Sequence, residues 1–485
     1  MKLTRKVSEV SVLATVLCSG LVGCSSMRPI LPLVKPGPEF SEQVVAQAKS
    51  GIASQWLASS DTLPHGGSAT VLENWWRQLG DPVLVELIDS AQKASASTAQ
   101  AALRVAEARG TLTVADAATL PALDATLSQS RAAFSFGGPV GLRTQIQGQL
   151  QSSWEIDLFG KRFREREASL ARANARVADW HDGRVSVAAE VANSYVQYRF
   201  CEQQIGVLAA DAKSRDETSR LTDLASNAGF QPPATAAVLR AGAADARRRL
   251  IVQKGDCAIA LKSMVALTAI PEAILVQKLQ PGSAQLPALL SFQIDRIPAQ
   301  ALAQRPDLWA AELDLAAASA DIGAAQAARY PRLSLIGSIG PLRFVSGGTV
   351  INATTWSFGP SISLPLFDGG KSLANIEISK TGYAAALSAY RAKTFVAVKE
   401  VEQALVHIAT ANERQTDTQI AAKGFKDSLN ASSAKWKAGI GSLLELEDAR
   451  RQSLAADVEL GILKRDLLIA WIGLYRAAGG GWTAQ

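Results

Sequence analysis

From Lys161 the chain runs about 70 residues to Pro232 without a proline, and the stretch from Lys371 to Ala438 is proline-free as well. A continuous helix of that length would reach on the order of 100 Å at about 1.5 Å per residue, more than an ordinary globular domain needs. Within the first stretch Val187, Val191, Ser194, Tyr198, Cys201, Ile205 and Leu208 alternate in steps of four and three. That is a coiled-coil seam, and it predicts a helix packed against a partner along its length. Upstream, Pro82 to Leu120 is rich in alanine and ends in a predicted helix, Thr98 to Ala118. After Pro121 the pattern becomes β-like. Asp124 to Phe136 and Thr144 to Asp157 read as strands around Gly137-Gly138-Pro139; Leu333 to Phe344 and Thr355 to Leu366 read as strands around a loop containing Gly347-Gly348.

These elements recur. Leu120-Pro121-Ala122-Leu123 returns as Tyr330-Pro331-Arg332-Leu333, Gly160-Lys161 as Gly370-Lys371, and Ala228-Gly229-Phe230 as Ala438-Gly439-Ile440, each 210 residues later. A constant offset predicts two equivalent halves. The first repeat is placed at 73–296 with a β-hairpin at about 123–160, and the second at 297–485 with a hairpin at about 333–368. The expected fold class is mainly α with a membrane β-barrel. Four strands cannot close a membrane barrel, and open sheet edges are not tolerated in lipid. Strands of about ten residues are long enough to cross a bilayer when tilted. Subunits are therefore expected to pool strands, three chains giving a twelve-stranded barrel with a lumen, continued by long helices.

Composition narrows the partners. A chain of 485 residues that is 48% hydrophobic and 19% charged can bury a sizeable core. A net charge of +6, with no dense Lys/Arg block after the N-terminus, argues against nucleic acid. The N-terminus reads as a secretory signal over residues 1–23: Lys2, Arg5 and Lys6, then an apolar stretch from Val10 to Val22 too short to span a bilayer. Leu21-Val22-Gly23-Cys24 resembles the bacterial lipobox, which implies cleavage before Cys24 and acylation of that cysteine. The alternative is an ordinary signal-peptide cysteine. Ser25 and Ser26 stand where lipoproteins retained at the inner membrane would carry aspartate, which implies delivery to the outer membrane and a lipidated segment at 24–72.

The segment Ile297-Pro298-Ala299-Gln300-Ala301-Leu302-Ala303-Gln304-Arg305-Pro306-Asp307-Leu308 resembles the signature opening the second repeat of the outer-membrane factor, or TolC-like, family, in its lipoprotein branch serving resistance-nodulation-division pumps. Ala310-Ala311-Glu312 through Arg329-Tyr330-Pro331-Arg332-Leu333 continues the likeness, and Trp76 followed by Asp81-Pro82 resembles the start of the first repeat. The resemblance covers nearly the whole mature chain. It implies a homotrimer, a twelve-stranded outer-membrane barrel, an α-helical periplasmic barrel, and as partners a periplasmic adaptor and an inner-membrane pump. It also implies that Ala228-Gly229-Phe230 and Ala438-Gly439-Ile440 are the periplasmic tips where the adaptor docks; a purely structural turn is the alternative. Gln231-Pro232-Pro233 departs from the family's polar continuation at the first tip. The resemblance places Glu445 and Asp448 among the acidic residues of the closed periplasmic entrance, against the alternative of a solvated helix face. Trp436 stands where a tyrosine is often found.

Cys201 and Cys257 each lie 28 residues from Gly229 and so at similar height on an antiparallel hairpin. Facing helices run about 8–10 Å apart and a disulfide needs Cα atoms within roughly 7 Å, so two buried thiols are expected over a disulfide. Catalysis is not expected: His65, His181 and His407 are far apart, and neither a metal-ligand spacing nor a phosphate-binding loop occurs. No cofactor is expected beyond the lipid on Cys24. The rival readings are a poreless periplasmic scaffold lipoprotein and the exit channel of a protein-secretion system.

Overall fold

The computed structural model describes residues 75–135, 140–287 and 305–480. The signal segment, Cys24 and the 24–72 segment, the Gly137-Gly138-Pro139 turn, and Ile297 to Gln304 of the signature lie outside the described residues.

The elements in chain order are α1 (Trp75–Gln78), α2 (Pro82–Ala94), α3 (Ala96–Ala117), β1 (Ala122–Phe134), β2 (Gly141–Ile156), α4 (Lys161–Asn227), α5 (Pro233–Thr268), α6 (Glu272–Leu279), α7 (Pro306–Ala327), β3 (Arg332–Ser346), β4 (Thr349–Ser363), α8 (Lys371–Lys437) and α9 (Leu443–Ala477). The 210-residue offset reaches the element ends. α3 and α7 start at 96 and 306 and stop at 117 and 327; α4 and α8 start at 161 and 371 and stop at 227 and 437. No single described helix is long and apolar enough to cross a membrane. The chain divides into two compact units, one holding Ala108–Ala173 with Asp314–Ala386, the other holding Asn174–Leu313, the chain from Leu387 onward and the described residues up to Glu107.

The first unit contains a four-stranded antiparallel sheet in the order β1-β2-β3-β4. Its register runs without a bulge, with Leu123 opposite Ser152, Leu150 opposite Ile339 and Ile339 opposite Trp356. Because side chains alternate across a strand, that register sorts them by chemistry. One face carries Leu123, Leu127, Ile146, Leu150, Trp154, Leu335, Ile339, Trp356, Phe358 and Ile362. The other carries Asp124, Thr126, Ser128, Gln145, Gln147, Gln149, Gln151, Ser338 and Ser357, with Ile336, Leu342, Phe344 and Ile351 among them. Among the described residues nothing covers the apolar face: Leu127 is 82% exposed and Trp356 75%. β1 and β4 each keep one unpaired edge. At position 340 a side chain would fall on the Gly148 carbonyl, so the β2–β3 seam between the hairpins requires glycine there.

The strands differ from expectation at their ends. Gly347 and Gly348 both have positive φ, 54° and 85°, the signature of a two-residue hairpin turn of type I′. β4 therefore begins at Thr349 rather than Thr355, because so tight a turn leaves no loop residues to spare.

In the second unit, helices α2, α4, α6, α8 and α9 share one core built around Leu84, Leu87, Val191, Tyr195, Leu275, Leu405, Ile408 and Ile472. The predicted seam on α4 is corrected here. Val187, Val191 and Cys201 are buried, but Ser194, Tyr198, Ile205 and Leu208 are only half-buried, while Ala188, Ala192, Tyr195 and Val196 are buried. Several helices contribute to the core around α4, so its buried face is wider than a two-helix stripe.

The cysteine expectation is overturned. Cys201 and Cys257 form a disulfide between α4 and α5, with Cα atoms 5.6 Å apart. The 8–10 Å figure refers to helix axes, whereas Cα atoms sit about 2.3 Å off the axis. Two residues that point at each other across the interface are therefore about 4–5 Å closer than their axes.

Candidate functional site at the helical tips

Each long hairpin turns at the glycine singled out from the sequence. After α4, Gly229 N–H donates to Ser226 and Phe230 N–H to Ala225; after α8, Gly439 N–H donates to Trp436 and Ile440 N–H to Lys435. Both are Schellman closures, in which the residue after the helix must be left-handed. Gly229 and Gly439 have φ of 78° and 75°. The apolar residue that follows such a turn often folds back on its helix, but Phe230 is 82% exposed and Ile440 81%. The tips thus present bare apolar side chains beyond a rigid turn.

The continuations differ. Ser442 Oγ accepts from Leu444 N at 3.1 Å and caps α9, whereas Pro232 precedes α5 with no side-chain cap. Gly441 donates a further bond to Lys435 O, and a Cβ at 441 would stand 2.8 Å from the Trp436 nitrogen. The residue 210 positions earlier, Gln231, is exposed and makes no such bond.

Glu445 is exposed, Asp448 is half-buried, and both are paired close by. Glu445 lies 3.5 Å from Lys435 Nζ across its own hairpin, and Asp448 accepts from Arg451 at 2.5 Å and from Gln452 at 3.0 Å. Neither reaches the first hairpin. The carboxylate that does is Glu447, which sequence reasoning passed over. Its Oε2 accepts from Arg215 Nη1 of α4 at 2.8 Å and its Oε1 from Arg450 Nη1 at 2.5 Å. Arg450 Nη1 also donates to Thr218 Oγ1 of α4 at 2.7 Å. Arg215 Nε donates to both oxygens of Asp211 at 3.0 Å. Two guanidiniums and two carboxylates, all largely buried, leave no net charge; this is the condition for ions to tolerate removal from water. Glu447 and Arg450 are three apart beside the buried Leu446, Ala449 and Ser453, a hint in the sequence, but Arg215 lies 232 residues away.

The signature residues have structural tasks nearer the chain's core. Arg305 is buried and donates to Glu400 of α8, to Asp307 and to the Ala477 carbonyl ending α9. Asp81 caps α2 through Val83 and Leu84 and accepts from the Tyr195 hydroxyl, which itself accepts from Arg199 at 3.0 Å. Burial and the neighbouring Asp81 carboxylate push the Tyr195 hydroxyl well above its ordinary value, so it stays a donor.

Comparison with known proteins agrees with this architecture. The family model for outer membrane efflux proteins matches residues 87–269 and again 297–480. Nodulation protein T of Rhizobium leguminosarum bv. viciae is 31% identical over 421 residues, covering 84% of each chain. Outer membrane protein OprJ of Pseudomonas aeruginosa is 29% identical over 448 residues, covering 90% of each. The solved structure of the outer-membrane channel OprN superposes with a TM-score of 0.78 at 26% identity, covering 87% of this chain and 98% of that one. With two repeats, two glycine-turned hairpins and one amphipathic four-stranded sheet, the chain belongs to the outer membrane efflux protein family.

Proposed function

We propose that this chain is the outer-membrane exit duct of a tripartite efflux system, a passive channel fed by an inner-membrane pump of the resistance-nodulation-division type through a periplasmic adaptor. The observation that carries the channel reading is the sheet: four strands with two open edges and an uncovered apolar face. Unpaired backbone groups in hydrocarbon cost several kcal/mol each. Copies of the chain would remove those edges by joining β4 of one to β1 of the next. Three copies make twelve strands, enough for a water-filled lumen lined by the Gln145–Gln151 face. The long helices of both repeats, 73–296 and 297–485, form the periplasmic part, and Cys24 carries the lipid that holds each chain at the membrane.

The tips centred on Gly229 and Gly439 receive the adaptor through Phe230 and Ile440. Opening separates α9 from α4, so the Arg215–Glu447–Arg450 cluster is the latch an adaptor must outweigh through its greater affinity for the open state. Glu445 and Asp448 line the entrance as acidic rings that attract cations.

Oligomeric mass and planar-bilayer conductance on one detergent-purified preparation test the reading. Trimers with discrete conductance are expected; monomers without conductance would support the scaffold alternative. On the same channels, Glu447→Ala should raise conductance through the latch, and Glu445→Ala with Asp448→Ala should lower cation selectivity. Unchanged selectivity in the double variant would remove those two residues from the entrance.

A further inference from the structure

The apolar face of the sheet contains no acidic residue and two charges, Arg131 and Arg343. Both sit at the end nearest the hairpin turns. Gln129, Ile146, Arg343 and Asn352 form one row across the four strands, and Arg131, Thr144, Val345 and Val350 the next. Both arginines are exposed, and neither has an ion pair or hydrogen bond with a described residue. The opposite face carries charges of both signs, Asp124, Arg143, Glu155 and Arg332.

The position of these rows is informative. From Ile156 to Ile146 the apolar face spans ten residues of β2, or roughly 33 Å along a strand at about 3.3 Å per residue. Tilted by about 40°, that is roughly 25 Å of height, the thickness of the apolar band in outer-membrane barrels. Arg343 and Arg131 then stand at the far edge of the hydrocarbon. Leaving a guanidinium inside lipid is costly, whereas at the edge it meets headgroups, and planar guanidinium forks match phosphate oxygens.

We propose that Arg131 and Arg343 form a binding site for the phosphate groups of the outer leaflet's phosphorylated glycolipid, repeated on each copy of the chain. This rests on the channel reading above, in which the apolar face meets lipid. Gln129 and Asn352 supply neutral hydrogen bonds beside the two cations, and the absence of any carboxylate on that face leaves the arginines unneutralised.

The test uses the full-length protein reconstituted in nanodiscs, with lipid A bisphosphate, dephosphorylated lipid A or phosphatidylglycerol as probe, and native mass spectrometry to count retained glycolipid. Wild type should retain the bisphosphate at least about tenfold better than the dephosphorylated form. Arg131→Gln with Arg343→Gln should abolish that preference while keeping trimers and conductance. Arg143→Gln removes a charge at the same height on the opposite face and should leave the preference intact. Equal retention by wild type and double variant, equal loss in Arg143→Gln, or a preference for phosphatidylglycerol over the bisphosphate would overturn the proposal while leaving the channel reading standing. Failure of wild type to form conducting trimers would overturn both.

Discussion

The two helical hairpins share a backbone and differ in what ties them together. α4 and α8 have the same length, stop at the same kind of turn, and place glycine at the same offset with φ within 3°. Yet the first hairpin is crossed by the Cys201–Cys257 disulfide, while 210 residues later Ala411 and Leu467 occupy those positions. Arg199, buried and bound to Tyr195, Glu202 and the Leu279 and Pro281 carbonyls, gives way to Ala409. Arg215 of the latch gives way to Phe425. Backbone geometry has thus been kept in both copies, whereas the covalent staple lies in the first and the second is crossed by the ion pairs Arg414–Glu459, Lys426–Asp457 and Lys435–Glu445. A covalently stapled hairpin resists relative movement of its helices; one held by exposed ion pairs, each worth little, leaves its helices freer to slide.

The largest expected effect comes from removing the covalent staple. Cys201→Ser with Cys257→Ser, or reduction with dithiothreitol, should cost about 4 kcal/mol by loop-closure entropy over a sequence separation of 56 residues, read as a fall in melting temperature. The mirror variant, Ala411→Cys with Leu467→Cys, should form a disulfide under oxidation and lower channel opening, reversibly with reductant. If the mirror disulfide forms and opening is unaffected, the second hairpin is not the one that moves.

Glu447→Ala comes next, at about 1–3 kcal/mol, because it leaves Arg215 and Arg450 with one carboxylate fewer in a buried place. Chemical denaturation gives the cost, and it should shrink when Arg215→Met is added, since the uncompensated charge is then gone. Gly441→Ala should cost about 1–3 kcal/mol from the backbone clash at the second tip, whereas Gln231→Ala should change stability by less than about 0.5 kcal/mol. Equal effects would mean that the tips are more alike than their hydrogen bonds indicate.

The last comparison tests another unmatched residue of the first half. Burial, with Asp307 and Asp179 nearby, raises the Asp182 carboxyl to about 6 against the pull of Arg305 and Arg476; its counterpart is Ala392. The ordinary value is 3.8, so between these values the folded chain holds the proton more tightly than the unfolded chain does, and above about pH 6 ionising Asp182 costs stability. Asp182→Asn should therefore raise the melting temperature at pH 7.5 and leave it nearly unchanged at pH 4.

Much of this was legible along the chain. Proline-free runs marked α4 and α8 to within a few residues, because proline is the residue a helix interior tolerates least. Gly229 and Gly439 marked the tips, because a Schellman turn needs a left-handed residue. Alternation marked the strands, though the type I′ turn at Gly347-Gly348 moved one boundary by six residues. The latch was not legible. Glu445, Glu447 and Asp448 look alike in sequence, and only packing against α4 shows that Glu447 alone turns toward Arg215.

By itself the sequence determined the long helices, the strands, their twofold repetition and the glycine turns at the tips, since these follow from backbone sterics and from periods of two and about 3.6 residues. Tertiary structure decided the disulfide, the breadth of the α4 core face, the β2–β3 seam at Gly340 and the partner of Glu447. Each of these joins residues remote in the chain through distances of a few ångströms, and no local pattern encodes such a distance.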